Sequence, residues 1–386
     1  MPKTKLMTLL GIRPDLIRMS KLLKLLDNCP DIEHTFVHTG QHFSYNLDEL
    51  FYKQLDISPP QYNLHVGKLN QSLAEQFSSL FLQVELIIDK VRPEYILFLG
   101  DTNTVVSSIL AARKGIKIIH IEAGMRSFDW RMPEEKNRVV VDRLSDILYV
   151  YLQEYAVNLI REGISPTKIS IVGNLIVDII KEWEPKITRE SLTSLVGDKK
   201  FFFATIHREE NIESPEVLTS IIKSFKELNR KYKVELLLPL MPRVRSKLTE
   251  CNISLDGITT CEPVGFLECL ALQKYAELVL TDSGTIQEEA CILGTPCIVV
   301  RNSTERPQTF ECGAGFLSGT TKESILNIAS KTLNIKRDSW KHPFGNGTTS
   351  EQILADILKR FNTPSSLKPW EDSHIEKAFK IGSKTF

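Results

Sequence analysis

The stretch "IKIIHIEAGMRSFDWRMPEEKNR", residues 116–138, joins a short apolar run to a cluster of charges. Its first part, IKIIHI (116–121), is rich in isoleucine, which predicts a buried strand. Four acidic residues and three arginines follow within residues 120–138. In an open parallel sheet, ligands bind beyond the carboxyl ends of the strands. The stretch therefore predicts a strand of an α/β fold whose carboxyl end lies at a functional site.

Similar β-rich runs alternate with helical patterns along the rest of the chain. Residues 71–91, for example, carry apolar side chains at helical spacing. This alternation predicts an α/β protein with parallel sheets covered by helices on both faces. The other ten predicted strands are 6–11, 35–40, 95–100, 147–151, 169–173, 201–206, 234–240, 258–264, 278–282 and 297–301.

Length and the spacing of the strands predict two Rossmann-like domains. A chain of 386 residues favours two domains over one. The strand series pauses in a polar stretch, so we place a linker near residues 175–195. The predicted domains are residues 1–175 and residues 176–362. The tail, residues 363–386, is polar, has no predicted strand and could pack on the first domain.

The composition excludes several classes of protein. Basic and acidic residues number 48 each, so no general attraction to nucleic acid or to acidic membranes is indicated. We see no apolar run of about 18 residues, and the first apolar run is too short for a signal peptide. The seven cysteines include no CxxC pair and indicate reduced thiols in a cytoplasmic protein. The eight histidines show no metal-site spacing, so we expect no metal.

The segment TDSGTIQEEA, residues 281–290, follows a predicted strand and begins a helix. Backbone N–H groups and hydroxyls at such a helix start can cradle a phosphate, and a carboxylate one turn later can reach a ribose. The residues concerned are Ser283, Gly284, Thr285, Glu288 and Glu289. The alternative is plain helix capping by Asp282 or Ser283. We find no GxxxxGK[ST] loop and no GxGxxG after the first strand, which argues against ATP-type and nicotinamide binding.

Two further strand ends carry cations that suit a diphosphate. In GIRPD, residues 11–15, Arg13 precedes a proline and is therefore extended, so it could offer a planar guanidinium to phosphate. In HREEN, residues 207–211, His207 could donate to a phosphate oxygen. Taken singly, the alternatives are a surface charge for Arg13 and a structural histidine for His207.

Three carboxylates lie at separate strand or loop ends of the predicted first domain: Asp101, Glu122 and Glu134. Carboxylates gathered in one cleft shift each other's pKa values apart, which suits acid/base catalysis. The alternative is ion pairing with nearby arginines, which would also keep some of the carboxylates ionised. The arginines concerned are Arg126, Arg131 and Arg138.

Together these motifs resemble the non-hydrolysing UDP-N-acetylglucosamine 2-epimerase family. The matching stretches occur in order over about residues 11–350 and are GIRPDLIRM, HTGQH, GDTNT, HIEAGMR, MPEEKNR, ATIHREEN, TDSGTIQEEACILGTPCIVVRNSTERP and HPFGNGTTS. The resemblance implies two Rossmann-like domains in a GT-B-type arrangement with the active site in the interdomain cleft. The first domain would surround the sugar and the second would bind UDP. It also implies a homodimer and no cofactor.

The resemblance also implies a reaction and a set of site residues. UDP-N-acetylglucosamine (UDP-GlcNAc) and UDP-N-acetylmannosamine would interconvert through loss of the C2 proton and of UDP, giving a 2-acetamidoglucal, and re-addition of UDP. Carboxylates are needed at the sugar and cations at the leaving diphosphate. The implied catalytic residues are Asp101, Glu122, Glu134 and His207. The implied substrate-binding residues are Arg13, Arg18, Gln41, His42, Arg138, Ser283, Gly284, Thr285, Glu289 and Arg306.

The chain departs from the family pattern at several positions. Arg18 stands where lysine is usual and Thr285 where a second glycine is usual, and SFDWRMPEE (127–135) replaces the usual GDxxSPxPEE. The last stretch is closer to relatives that act on modified UDP-amino sugars for surface polysaccharides, as in UDP-N-acetyl-L-fucosamine or diacetamido-uronate pathways. A C2-epimerase of such a sugar therefore stays open. So do a glycosyltransferase of the same two-domain form, a hydrolysing epimerase and a non-catalytic UDP-sugar sensor.

Two arginines that flank this loop bear on the choice of sugar. If Arg126 or Arg131 faces the sugar, a carboxylated or extra-acetylated substrate is favoured, because a buried arginine prefers a carboxylate or several acceptors. If Asp129 and Glu135 occupy both arginines, the neutral sugar of UDP-GlcNAc is favoured.

Overall fold

The computed structural model describes residues 3–40, 49–67 and 71–362 of the 386-residue chain. It contains two parallel β-sheets with helices packed on them. The predictions for Gln41, for His42 and for the tail, residues 363–386, fall outside the described residues. Among the residues that are described, no helix is both long and apolar enough to cross a membrane.

The first sheet belongs to the N-terminal half of the chain. Its strands are β1 Thr4–Leu10, β2 Ile32–His38, β3 Tyr62–Asn63, β4 Tyr95–Leu99, β5 Lys117–Ile121, β6 Ile147–Val150 and β7 Ile169–Ile171. Within the described residues these strands are parallel and lie in the order β3-β2-β1-β4-β5-β6-β7. The order changes direction between β1 and β4, and ligands bind at the carboxyl ends of the strands beside such a point.

The second sheet repeats this plan. Its strands are β8 Phe201–Thr205, β9 Glu235–Pro239, β10 Thr259–Cys261, β11 Leu278–Thr281, β12 Cys297–Val299 and β13 Gly315–Leu317. They are parallel, in the order β10-β9-β8-β11-β12-β13 in the part of the chain that the structure describes. Here the order changes direction between β8 and β11, so the segments after these two strands are the expected ligand site.

The helices lie between the strands in sequence. They are α1 Arg13–Asp27, α2 Glu49–Leu55, α3 Leu73–Val91, α4 Ser108–Arg113, α5 Pro133–Leu144, α6 Gln153–Arg161, α7 Leu175–Trp183, α8 Thr193–Val196, α9 Glu209–Ile212, α10 Pro215–Tyr232, α11 Pro242–Glu250, α12 Phe266–Tyr275, α13 Gly284–Ile292, α14 Gln308–Glu311, α15 Lys322–Thr332 and α16 Thr349–Phe361. Local sequence sets their ends. Before α3, the Ser72 hydroxyl accepts the Glu75 N–H at 3.2 Å, and the Glu75 carboxylate accepts the Ser72 N–H at 2.8 Å.

The strands are apolar because the sheets are buried on both faces. In β4, Tyr95, Leu97 and Leu99 belong to one hydrophobic core, whereas Ile96 and Phe98 belong to a second core on the opposite face. Successive side chains of a strand point to opposite faces, so a strand between two helical layers must be apolar throughout. This explains the continuous apolar runs in the sequence.

The last described helix returns to the first sheet. α16 packs against α1 and α7, and Asp356 on α16 accepts hydrogen bonds from the hydroxyls of Tyr149 at 3.0 Å and Ser170 at 3.1 Å. The domain limits remain a prediction, and these contacts favour assigning α16 to the first unit although it lies within residues 176–362. The chain therefore crosses between the two halves twice.

The two crossings touch each other at a pair of glycines. The Asn174 N–H donates to the Phe344 carbonyl at 2.9 Å. Gly173 and Gly345 have φ of +84° and +97°, a region that side chains disfavour. A Cβ on Gly345 would lie 3.2 Å from the Gly173 Cα. The two segments can lie this close because neither carries a side chain at the contact.

All eleven predicted strands are present, and the predicted α/β class with two Rossmann-like sheets is confirmed. The sequence reading missed β3 and β13, which are two and three residues long and lie at the edges of the sheets. Runs this short contain too few residues for a periodic pattern to be recognised.

Candidate active site

The carboxyl ends of the two sheets meet at one buried, charged cluster. Glu122 follows β5 of the first sheet, and Arg306 lies in the segment after β12 of the second. Arg306 Nη2 lies 3.5 Å from Glu122 Oε1, and both side chains are buried. A second contact joins the halves, since the Tyr155 hydroxyl donates to Gln308 Oε1 at 2.8 Å. The strand ends of the two sheets therefore face each other, as the resemblance implied.

Glu122 is the centre of this cluster. Its carboxylate accepts hydrogen bonds from Arg18 and, at 3.0 Å, from the Tyr151 hydroxyl, while Arg138 and Arg306 lie 3.4 and 3.5 Å away. Burial alone raises the pKa of Glu122, but the charges of the three arginines outweigh burial and lower the pKa to about 2. The side chain therefore stays ionised at any physiological pH.

The backbone of Glu122 is also constrained. Its φ is +71°, a left-handed conformation that costs about 1–3 kcal/mol for a residue with a side chain. Arg138 Nη1 donates to the Glu122 carbonyl at 2.8 Å and so stabilises the turn. Such strain persists where the surroundings determine the conformation, which is common at functional sites.

One face of α5 carries three polar side chains of the MPEEKNR motif towards the cluster. Arg138 Nη2 forms an ion pair with Asp101, and Asn137 Nδ2 donates to the Asp101 carbonyl at 3.0 Å. Glu134 lies one turn earlier on the helix. Residues separated by three or four positions share a helix face, so the motif spacing brings these residues to the end of β4.

The two adjacent glutamates of the motif have different surroundings. Glu134 is partly exposed and lies 3.5 Å from Arg208 Nη1 of the second half. Burial raises the pKa of Glu134, and the Arg208 charge opposes this only in part. Glu135 is buried and accepts the N–H groups of Ser127 at 2.9 Å and Phe128 at 3.0 Å. Glu134 is thus available for chemistry, whereas Glu135 holds the loop before the helix.

His207, after β8, is fixed by a buried aspartate from the neighbouring strand end. Asp282 accepts the N–H groups of His207 and Arg208, both at 3.0 Å, and the Asn211 amide at 3.1 Å. Its Oδ1 also lies 3.1 Å from His207 Nδ1. Burial would raise the pKa of Asp282, but His207 and these hydrogen bonds lower it. Asp282 therefore holds the imidazole through Nδ1, and the His207 side chain is 45% exposed.

The start of α13 has the features of an anion site. Ser283 is the N-cap and accepts the Ile286 N–H at 3.4 Å, which decides between the two capping candidates. A Cβ on Gly284 would overlap the Arg306 guanidinium, so glycine lets this cation approach the helix start. Thr285 follows in the first turn.

Arg306 joins several carboxylates near the start of α13. It forms an ion pair with Glu305, its Nε lies 3.0 Å from Glu288 Oε1, and it reaches Glu122 across the cleft. Glu289 is buried one turn into the helix and accepts the Gln273 amide at 2.6 Å. Burial raises the pKa of Glu289 to about 7. The part of the cluster that the second half contributes is therefore rich in buried carboxylates as well as in cations.

The structure shows how the two arginines that flank the loop after β5 are paired. Arg126 pairs with Asp142 at 2.8 Å and with Glu162 at 2.7 Å. Arg131 is exposed and pairs with Asp129 at 2.6 Å. Of the three arginines considered from sequence, Arg138 contacts Asp101 and Glu122, whereas the described contacts of Arg126 and Arg131 are with other residues.

The structure brings most of the predicted site residues together. Arg18, Asp101, Glu122, Arg138 and Arg306 form one network of contacts. Glu134 joins it through Arg208, and His207 contacts Asp282, which directly precedes Ser283. Arg13 begins α1 at the end of β1, and Glu289 lies deeper, against Gln273.

Sequence reasoning gave no role in the site to three members of this cluster, although it considered Asp282 as a helix cap. Tyr151 donates to Glu122, Asp282 orients His207, and Glu305 lies between Arg301 at 3.1 Å and Arg306. Their signal was position, because each follows a strand of a predicted sheet. Their partners are distant in sequence, so no local pattern indicated the contacts.

Comparison with known proteins gives the same picture. A family model described as UDP-N-acetylglucosamine 2-epimerase matches residues 24–359. The chain is 41% identical over 362 residues to the UDP-N-acetylglucosamine 2-epimerase of Methanocaldococcus jannaschii, covering 91% of this chain and 98% of that protein. A crystal structure of the M. jannaschii enzyme in complex with UDP-GlcNAc and UDP has a TM-score of 0.86 at 39% identity, covering 92% of this chain and 100% of that one.

A second kind of relative is also similar. The UDP-2,3-diacetamido-2,3-dideoxy-D-glucuronate 2-epimerase of Pseudomonas aeruginosa is 36% identical over 360 residues, covering 92% of this chain and 99% of that protein. The similar proteins therefore include epimerases of a neutral and of a carboxylated UDP-sugar.

Proposed function

Because this chain belongs to the UDP-N-acetylglucosamine 2-epimerase family, we propose that it is an isomerase that interconverts UDP-GlcNAc and UDP-N-acetylmannosamine without hydrolysis. The reaction would proceed by elimination of UDP to a 2-acetamidoglucal and re-addition after reprotonation on the other face. The observation that carries the proposal is the meeting of Asp101, Glu122 and Glu134 with cations at the facing strand ends of both sheets.

The surroundings of the three carboxylates support different roles for them. A C2 proton that is not beside a carbonyl is weakly acidic, so its removal needs a well-placed base while UDP leaves. Glu134 suits this role, because burial raises its pKa towards the working pH. Glu122 is held ionised by three arginines and is a poor proton acceptor. It suits a fixed negative charge that stabilises positive charge developing at C1.

Asp101 completes the sugar side of the proposed site. It is ion-paired with Arg138 and, like Glu122, follows a strand of the first sheet, whereas Glu134 is on α5. Epimerisation needs proton transfer on both faces of C2. We assign Asp101 to the second of these transfers, since Arg138 holds it in place and its side chain is partly open to solvent.

The second half supports departure of the diphosphate. His207, oriented by Asp282, could donate from Nε2 to a phosphate oxygen. The backbone N–H groups of Ser283, Gly284 and Thr285 lie at the positive end of α13, where anions are stabilised. Fixed donors of this kind stabilise the leaving group without reorganisation. We further assign Arg13 to the diphosphate and Glu289 to the ribose.

The pairing of two arginines favours the neutral sugar over a carboxylated one. A uronate substrate would need a cation beside the sugar that has no carboxylate partner of its own. Arg126 is occupied by Asp142 and Glu162, and Arg131 by Asp129. We therefore prefer UDP-GlcNAc, and retain the epimerase of a modified UDP-amino sugar as the second candidate because of the P. aeruginosa relative.

We also propose that the protein is a cytoplasmic homodimer that supplies amino sugars for polysaccharides. The dimer is supported by an apolar surface on α3, where the side chains of Leu82 and Leu86 are 64% and 68% exposed one turn apart. Large apolar side chains grouped on one helix face are typical of a contact surface.

Product analysis in heavy water tests the proposal. The purified protein is incubated with UDP-GlcNAc in D₂O, and nuclear magnetic resonance follows the C2 position. We expect both epimers to appear, each with deuterium at C2. The Glu134→Gln variant, purified identically, excludes a contaminating enzyme. Absence of C2 exchange with UDP-GlcNAc, the fucosamine sugar and the diacetamido-uronate would reject the elimination mechanism.

A further inference from the structure

Two cysteines in the second half lie side by side. Cys291 is on α13, Cys312 directly follows α14, and their sulfur atoms are 3.6 Å apart. Both are free thiols. Cys291 is buried, whereas Cys312 is partly exposed, so one member of the pair can be reached from solvent. Neither residue has a part in the proposed reaction.

The surroundings of the pair favour ionisation of the exposed member. A hydrogen bond from the Cys291 thiol outweighs burial and, with two backbone N–H groups, lowers the pKa of Cys312 to about 7. The same hydrogen bond, with burial, raises the pKa of Cys291. The thiolate is the reactive form of cysteine. The Cys312 thiolate would therefore attack an oxidant, and the Cys291 thiol in contact with it would resolve the product.

We propose that Cys291 and Cys312 are a redox-modification site at which hydrogen peroxide converts the two thiols into a disulfide. The Cys312 sulfur attacks one peroxide oxygen and the O–O bond breaks, which gives a sulfenic acid and hydroxide. The Cys291 sulfur then attacks the Cys312 sulfur, the S–O bond breaks, and the Cys291 proton leaves in water. Two thiols are oxidised, one peroxide is reduced, and two waters form.

The disulfide would act on the nucleotide side of the cleft. Sulfur atoms in a disulfide are about 2 Å apart, so the pair must approach by roughly 1.5 Å. This would draw α14 towards α13 and close a loop of residues 292–311, which contains Glu305 and Arg306. Arg306 bridges Glu122 and Glu288. We therefore expect the oxidised protein to bind UDP more weakly, a consequence that rests on the proposed function.

Peptide mass spectrometry tests the modification itself. Full-length protein is treated with hydrogen peroxide, free thiols are alkylated, and the digest is searched for linked peptides. We expect a Cys291–Cys312 link that dithiothreitol removes. The link should be absent from C291S and C312S, and present in the matched control C297S, which removes another buried thiol of the same half. Circular dichroism verifies that each variant is folded.

Three results of this experiment would overturn the modification site. They are oxidation of Cys312 to a sulfinic acid without a link, a link that joins other cysteines, and a link that persists in C312S. Calorimetry with UDP then tests the consequence. Equal affinity of the oxidised and reduced proteins would refute it, whereas C312S should keep its affinity after peroxide. If the reduced protein did not bind UDP, the result would count against the proposed function. The linked peptides would still show whether the disulfide forms.

Discussion

Replacing Glu122 with glutamine should lower both stability and turnover, whereas the same change at Glu134 should lower turnover alone. Glu122 is buried among Arg18, Arg138 and Arg306. A neutral glutamine there would leave these three buried cations with less negative charge to balance them. Glu134 is partly exposed and has one arginine at 3.5 Å. The pair of variants therefore compares the same chemical change in two electrostatic settings.

The magnitude follows from the pKa of Glu122. Lowering this pKa from 4.5 to about 2 corresponds to roughly 3 kcal/mol of native stability at neutral pH. Because the folded-state pKa lies below the unfolded one, this stability is present above pH 4.5 and is lost as the pH falls towards 2. For a chain of this length, 3 kcal/mol lowers the Tm by about 4 °C. Glutamine cannot titrate, so the Tm difference between wild type and Glu122→Gln should shrink on acidification.

Thermal unfolding at pH 7 and pH 3, turnover of UDP-GlcNAc and calorimetry with UDP measure the three quantities. Turnover should fall in both variants, by on the order of 10²–10⁴ for Glu134→Gln if it carries the proton. UDP affinity should be largely kept, because both residues belong to the first half. The electrostatic reasoning is wrong if Glu122→Gln unfolds at the wild-type Tm at pH 7, or if Glu134→Gln is destabilised equally.

Three other changes test other parts of the site. Asp282→Asn should loosen His207 and lower turnover on the order of 10–100-fold, the range seen when a carboxylate behind a metal-binding histidine is lost. An unchanged kcat would remove Asp282 from the site. Replacing residues 127–132 with a GDxxSP-type sequence should change the ratio of activities on UDP-GlcNAc and modified UDP-sugars at constant UDP affinity, whereas equal loss on all substrates would deny the loop a role in selection. Leu82→Glu combined with Leu86→Glu should give a folded monomer in light scattering, and a persistent dimer would place the contact elsewhere.

The strands, and the charged side chains at their carboxyl ends, were predictable from sequence for a physical reason. A strand buried on both faces must be apolar, and a ligand site must be polar, so the change from IKIIHI to the charges after it marks both. The same reasoning located Asp101 after β4 and His207 after β8. It could not show how the side chains pair.

Pairing depends on contacts between residues far apart in the chain. Arg18 and Glu122 are separated by 104 residues and Arg306 and Glu122 by 184, so no local spacing connects them. The sequence suggested Asp129 and Glu135 as partners for Arg126 and Arg131, yet Arg126 pairs with Asp142 and Glu162. Glu135 instead accepts the backbone N–H groups of Ser127 and Phe128. This role depends on how the loop folds, which no sequence pattern showed.

The double crossing at Gly173 and Gly345 has a mechanical consequence. Two chain segments join the halves at this contact and are tied by the Asn174–Phe344 hydrogen bond, so we expect the cleft to open by rotation about the contact and not by sliding of one half past the other. Opening of the cleft would then move Glu122 and Arg306 apart along a single arc, and closing would return them to the same register. A Cβ at Gly173 would lie 3.0 Å from the Phe344 carbonyl oxygen and from the Thr349 hydroxyl, so we expect a substitution there to push the two crossings apart and to change how the two halves meet.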